Sequence, residues 1–114
     1  MTALGKIAAE QNLCVQSHLS ENLDEIAWVR SLHPDCAQYW ESYDKFGLWK
    51  SHTVMAHCIH SDERERTAIR EAGVRWIAAL PGPANIQTIR ASGIAPVREN
   101  LNEGIHVTLG TDIA

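Results

Sequence analysis

The sequence predicts an α/β fold in which parallel strands form part of a (β/α)₈ barrel of the TIM type. Four short apolar runs alternate with segments of helical character, which is typical of parallel βαβ units. Three of these runs lead into a titratable side chain, namely His18, His57 or Asp112. Barrel enzymes place their chemistry at the carboxyl ends of the strands. The 114 residues are about half of a complete barrel, which needs roughly 250 residues.

The first apolar run, from Leu13 to Val15, leads into a polar cluster that ends at His18. A helix is expected after it, because Asn22 is a candidate N-cap and Glu25, three residues later, completes a capping box. Pro34 ends this helix, since proline cannot continue the backbone hydrogen bonding. The run and the helix together form the first predicted βα unit.

The second unit begins with a short helical piece over Tyr39 to Phe46, which is stopped by Gly47. Glycine at this place is typical of a helix end in the left-handed conformation. The run from Thr53 to Ala56 predicts a buried strand that terminates at His57. His57 is therefore expected at a strand end, like His18.

The remaining units follow the same order. A charged helix starting at Ser61 or Asp62 is closed by Gly73, and an apolar run over 74–80 follows it. Pro96 is placed at the first turn of another helix, which is a favoured position for proline. The last run, over 105–109, finishes in a Gly-Thr-Asp stretch that contains Asp112.

Composition and charge exclude several classes of protein. The 45% of hydrophobic residues and 21% of charged ones permit a packed core. The 10 basic residues against 14 acidic ones give a net charge of −4, without the basic stripe of a nucleic-acid-binding protein. No apolar run reaches the roughly 18 residues that span a membrane. The three cysteines form no CxxC pair, so we expect small buried thiols and a reduced, cytoplasmic protein.

Four residues at the predicted strand ends suit a metal-dependent hydrolase. His18 and Asp112 offer the imidazole and carboxylate ligands that zinc accepts. Glu21 lies three residues after His18, so its carboxylate can fold back and transfer a proton to a leaving amine. His57, on the neighbouring strand, can hydrogen-bond an attacking water or an oxyanion.

Spacing alone leaves a second interpretation open for each of these residues. His18 and His57 fit polar strand ends, Glu21 fits an acidic first-turn residue favoured by the helix dipole, and Asp112 fits a turn. The other histidines show no comparable arrangement and are expected on the surface or in loops; they are His33, His52, His60 and His106.

Four segments that occur in a fixed order resemble the guanine deaminases of the amidohydrolase superfamily. They are Val15–Asn22, Thr53–Cys58, Ser92–Val97 and Val107–Asp112. Single motifs such as Gly-Thr-Asp are weak evidence, but the ordered set is specific and the resemblance covers nearly the whole chain. It implies that residues 1–114 are a single partial barrel domain, a fragment that covers strands five to eight.

The resemblance also implies a role for each candidate residue. His18 would be the zinc ligand of strand five and Asp112 the aspartate at the metal, which also accepts a proton. Glu21 would be the proton shuttle and would contact the purine, and His57 would orient the attacking water. One Zn²⁺ would be bound in each active site, and guanine plus water would give xanthine plus ammonia.

Parts of the family pattern are absent from the chain. The His-x-His pair that supplies two more zinc ligands does not occur, nor does an arginine segment that binds the purine. The family stretch His-Cys-Pro is replaced by residues 79–81, and one inserted base would account for the change. We therefore hypothesise a disturbed reading frame over residues 78–91 and within 61–66.

These departures lead us to expect that the chain alone is inactive. The full-length parent is expected to be a homodimer that acts on guanine, without nucleic-acid or membrane partners. Two alternatives stay open from the sequence. One is another amidohydrolase that acts on a related aminated heterocycle, such as an adenosine-type or triazine substrate. The other is a non-catalytic relic of a disrupted gene.

Overall fold

The fold was obtained as a computed structural model that describes residues 1–79 and 93–110. Its strands form one sheet in the order β1-β2-β3-β4, and each neighbouring pair is parallel. The strands are Val15–Leu19 (β1), Thr53–His57 (β2), Arg75–Ala79 (β3) and Val107–Gly110 (β4). Because all of them run in one direction, their carboxyl ends lie at the same edge of the sheet. The predicted parallel α/β class is confirmed.

Helices precede or connect the strands. They are Thr2–Glu10 (α1), Leu23–Leu32 (α2), Glu41–Asp44 (α3), Glu63–Ala72 (α4) and Val97–Asn102 (α5). Within the described ranges, no helix is long and apolar enough to cross a membrane.

Two helices begin and end as the sequence predicts. The Asn22 side chain accepts from the Glu25 amide, and the Glu25 side chain accepts from the Asn22 amide, so the predicted capping box of α2 is present. The Asp62 side chain caps α4 by accepting from the Glu65 amide, and Gly73 ends that helix with a left-handed φ of 67°. Such local signals act within one helical turn and are therefore readable from the sequence.

Other boundaries differ from the prediction. Strand β1 begins at Val15, the last residue of the predicted apolar run, and consists mainly of the polar residues that follow, because backbone pairing with β2 defines the strand regardless of side-chain polarity. Helix α3 covers only Glu41–Asp44 of the predicted piece, although Gly47 does follow it with a φ of 70°. Pro96 is the N-cap of α5 rather than its first residue.

Helix α1 was not anticipated, and a close backbone contact explains how it packs. Gly5 and Ala8 are its buried residues. A Cβ atom built on Gly5 would overlap the carbonyl oxygen of Phe46. The helix therefore approaches the segment after α3 at a distance that only glycine permits.

The core joins the strands to the helices. Leu19 of β1 and Met55 of β2 are fully buried, and Ile69 of α4 and Val74 before β3 pack in the same cluster. The carboxyl ends of β1 and β2 are thus anchored by apolar contacts next to the candidate site residues His18 and His57.

Three of the sequence interpretations lie wholly or largely outside the described residues. They are Asp112, the Pro81-Gly82-Pro83 break and most of the 78–91 segment. The prediction of small buried thiols is correct for Cys58 but wrong for Cys14, which is exposed in the loop between α1 and β1.

Candidate active site

Three of the four predicted site residues meet at the carboxyl ends of β1 and β2. His18 is the penultimate residue of β1, Glu21 lies in the turn between β1 and α2, and His57 is the last residue of β2. The fourth, Asp112, lies outside the described residues. The parallel pairing of β1 with β2 brings the first three together.

The backbone of His57 is what lets its side chain reach His18. His57 is paired with Leu19 and His18 with Ala56. Regular strands would direct paired side chains to the same face and successive ones to opposite faces, so the two histidines would point apart. His57 instead has a φ of 70°, and Cys58 after it has a φ of 48°. This left-handed conformation, which costs roughly 1–2 kcal/mol in a residue with a Cβ, turns the His57 side chain away from regular alternation.

The three side chains form a compact group. The imidazole rings of His18 and His57 are stacked, with their centroids 5.1 Å apart and their planes at 18°. The Nε2 atom of His57 is 3.8 Å from Oε2 of Glu21. The His57 side chain is 3% exposed and that of Glu21 27% exposed, so the carboxylate stands between a buried imidazole and solvent. This placement suits an acid–base group that exchanges protons with a bound molecule.

Glu25 fixes the backbone of Glu21. One Glu25 oxygen, Oε2, accepts from the amides of Glu21 at 2.8 Å and of Asn22 at 3.4 Å. The other, Oε1, accepts from the hydroxyl of Tyr39 at 2.8 Å. Burial raises the pKa of Tyr39, so this hydroxyl stays protonated and donates. Glu25, which completes the capping box of α2, thus also supports the backbone of the candidate acid–base residue Glu21.

A second tyrosine supports His18. The hydroxyl of Tyr43 donates to the His18 carbonyl oxygen at 2.8 Å and lies 2.9 Å from the hydroxyl of Ser17. The rings of Tyr39 and Tyr43 are stacked with their centroids 5.9 Å apart. Neither tyrosine is predicted from the sequence as a support of the site, because contacts across 14 and 25 residues leave no periodic signal.

Cys58, next to His57, is not suited to act as a nucleophile or metal ligand. Burial raises the pKa of its thiol well above the usual value, with the carboxylate of Glu65 adding to the effect. Its sulfur faces the backbone carbonyls of Met55 and Ala56. A buried, protonated thiol of this kind is inert.

A cavity of about 180 Å³ lies beside the candidate site. Its lining includes Ser20 and Glu65, together with Arg30, His33 and His60, but not His18, Glu21 or His57. The four histidines predicted to lie on the surface or in loops do so, and two of them, His33 and His60, face this cavity.

The described residues do not by themselves complete a metal site. Within 1–79 and 93–110, no group of three or more His, Cys, Asp or Glu side chains could hold a metal ion. A zinc site needs three or four such donors. His18 has the right chemistry and position for one ligand, but any site that uses it needs donors from beyond these residues.

Comparison with known proteins assigns the family. The model of the amidohydrolase family matches residues 1–114. The chain belongs to the amidohydrolase family. A guanine deaminase from Dictyostelium discoideum is 40% identical over 114 residues, which are 100% of this chain and 24% of that protein.

Solved structures agree with this assignment. Guanine deaminase from C. acetobutylicum, with guanine bound in its active site, is 49% identical with a TM-score of 0.88, over 98% of this chain and 26% of that one. An atrazine chlorohydrolase from Arthrobacter aurescens, complexed with zinc, is 26% identical with a TM-score of 0.79, over 96% of this chain and 23% of that one. The chain therefore spans about a quarter of the length of the relatives it matches.

Proposed function

We propose that this chain supplies part of the active site of a zinc-dependent guanine deaminase, as the segment that corresponds to barrel strands five to eight. The observation that carries the proposal is the meeting of His18, Glu21 and His57 at the ends of two adjacent parallel strands. The identity to guanine deaminases, 40% and 49%, exceeds the 26% to the atrazine chlorohydrolase. Guanine is therefore favoured over a triazine as the substrate.

The proposed reaction is hydrolytic. Water adds to the guanine carbon that bears the exocyclic amine, so a C–O bond forms and the C–N bond then breaks. Of the two protons of the water, one is taken up by the adjacent ring nitrogen and the other leaves with the amine as ammonia, and xanthine remains. No oxidant or reductant is needed.

Glu21 is proposed to move that proton. Glu25 holds the backbone of Glu21 through the amides of Glu21 and Asn22. The Glu21 carboxylate takes the proton from the water and delivers it to the departing amine. His57, whose Nε2 atom is 3.8 Å from this carboxylate, orients the attacking water.

His18 and Asp112 are proposed to hold the metal, with the remaining ligands coming from outside the described residues. Zinc in such a site supplies Lewis acidity that makes water more acidic. Because the described donors number fewer than three, the roles of Glu21 and His57 are argued from their own geometry.

A chimera tests the proposal. The 114 residues replace the matching quarter of the C. acetobutylicum guanine deaminase, and xanthine formation from guanine is measured. We expect Glu21→Gln to lower kcat by about 10²–10⁴-fold, the range for loss of an acid–base group. Glu10→Gln, which alters an exposed carboxylate of α1, is the matched control and leaves kcat unchanged.

An active chimera that keeps its full kcat with Glu21→Gln would refute the role of Glu21. A chimera that hydrolyses a triazine faster than guanine would favour the alternative substrate class. The 114-residue chain alone is expected to form no xanthine, and measurable xanthine from the purified chain would contradict that expectation. We further propose that the full-length parent is a cytoplasmic homodimer. Sedimentation of that protein tests the dimer, and cell fractionation tests the location.

A further inference from the structure

A buried carboxylate lies behind the candidate site and has no part in the chemistry proposed above. Glu65 is on the first turn of α4 and is 3% exposed. Its Oε1 atom accepts from the hydroxyl of Ser20 at 2.5 Å and from the hydroxyl of Ser61 at 2.7 Å. One oxygen atom thus joins two serines that are 41 residues apart in the chain.

The two serines belong to the turns that carry the candidate site residues. Ser20 lies between His18 and Glu21 and has a left-handed φ of 46°. Ser61 follows β2 in the turn that begins with His57. We call the Ser20–Glu65–Ser61 contact the clasp.

Backbone hydrogen bonds join the same two turns. The His60 amide donates to the Ser20 carbonyl at 3.0 Å, and the Cys58 amide donates to the Leu19 carbonyl at 2.8 Å. The clasp therefore adds a side-chain connection where the regular pairing of β1 with β2 ends. It acts on the residue immediately before Glu21.

A buried carboxylate at this position costs more desolvation free energy than an apolar side chain of similar size would. Burial raises the pKa of Glu65, although hydrogen bonds from the hydroxyls of Ser20 and Ser61 and from the Trp40 backbone oppose the shift. A buried carboxylate that loses more by desolvation than it gains from its partners contributes little to folding, whereas an apolar residue would avoid the cost. Its specific hydrogen bonds are therefore better explained by a role in fixing the geometry of the turns than by a role in stabilising the fold.

We propose that Glu65 is a positioning residue that, through Ser20 and Ser61, fixes the Glu21 turn against the His57 turn. The inference rests on the function proposed for Glu21 and His57. The hydrogen bonds of the Glu65 side chain in the described residues go to the turns and not to the side chains of Glu21 or His57, so its proposed action is through the turns.

The test uses the 114-residue chain and needs no enzymatic activity, so a failed deaminase assay leaves it unaffected. Amide hydrogen exchange is measured by NMR in Glu65→Leu and Glu65→Gln. Exchange reports local opening, so we expect Glu65→Leu to accelerate the Glu21 and His60 amides by at least about tenfold. The Val74 amide, which donates to Ile69 in the core, should change less than about twofold.

The Glu65→Gln variant distinguishes the effect of the hydrogen bonds to the serines from the effect of side-chain size. Glutamine retains an oxygen that accepts from both serines, so Glu65→Gln should restore both amides to near the native rate. The nuclear Overhauser effect between the His18 and His57 rings, 5.1 Å apart by their centroids, should weaken in Glu65→Leu and return in Glu65→Gln.

If Glu65→Leu does not fold, serine variants test the clasp instead. Ser20→Ala removes one hydroxyl of the clasp and should accelerate the Glu21 and His60 amides. Ser42→Ala is the matched control, because Ser42 is also 3% exposed but lies in α3, outside the clasp. Native exchange at His60 in Ser20→Ala, or equal acceleration of His60 and Val74 in both Glu65→Leu and Ser20→Ala, would overturn the proposal.

Discussion

Replacing Glu25 by alanine should loosen the turn that carries Glu21 and cost the fold about 2 kcal/mol. The substitution removes two short hydrogen bonds to a carboxylate, from the Glu21 amide and the Tyr39 hydroxyl, both at 2.8 Å. Bonds to charged groups contribute about 1.5–3 kcal/mol when buried. Glu25 is half-buried, so about 1 kcal/mol for each bond is the appropriate scale.

Glu41→Ala is the matched control for this substitution. The Glu41 carboxylate accepts from the amides of Ala37 at 2.7 Å and Gln38 at 3.3 Å, the same four- and three-residue spacing as in Glu25. It binds no tyrosine hydroxyl among the described residues. Its shorter hydrogen bond, from the Ala37 amide, is exposed to solvent, so its loss should cost about 0.5–1 kcal/mol, the scale of a helix cap.

Urea unfolding of the 114-residue chain measures both free energies, and NMR exchange reports the Glu21 amide. We expect Glu25→Ala to be the more destabilising variant and the only one of the two that accelerates Glu21 exchange. The reasoning would be refuted if the two variants lost equal stability, or if the Glu21 amide exchanged at its native rate in Glu25→Ala.

Two further predictions concern stability. Because burial raises the pKa of Glu65 above its usual 4.5, its contribution to the free energy of unfolding is present below about pH 4.5 and is lost as the pH rises through the raised pKa. The non-titrating Glu65→Gln should therefore gain stability over the native chain as the pH rises above about 4.5, and a pH-independent difference in urea unfolding would contradict this. Gly5→Ala should destabilise the chain by about 1–3 kcal/mol, because its new methyl group meets the Phe46 carbonyl; an unchanged Tm would show that α1 can shift without cost.

The sequence predicts those parts of the fold that depend on neighbouring residues. The Asn22–Glu25 capping box and the Gly73 helix end each need only one turn of helix, and both are present. The alternation of strands and helices likewise predicts the parallel sheet, and with it the common edge at which His18 and His57 lie.

What the sequence does not predict depends on distant contacts or on backbone strain. Tyr43 reaches the His18 carbonyl across 25 residues, and Glu65 reaches Ser20 across 45. Regular strands would direct the side chains of His18 and His57 to opposite faces, yet their rings are stacked. The stacking arises from the left-handed backbone of His57, which no local sequence pattern predicts. Helix α1 packs through the Gly5 contact, which the sequence alone does not reveal.

The left-handed backbone at His57 affects how any amino-acid substitution at this position should be interpreted. Asparagine adopts that conformation more readily than most residues with a Cβ, whereas a β-branched residue opposes it. His57→Asn therefore deletes the imidazole with little disturbance of the main chain, while His57→Val penalises the loop as well. In a library of all substitutions at position 57, the stability of the variants would depend first on how well each amino acid tolerates a positive φ. The chemistry of the side chain would distinguish only variants that tolerate it equally well.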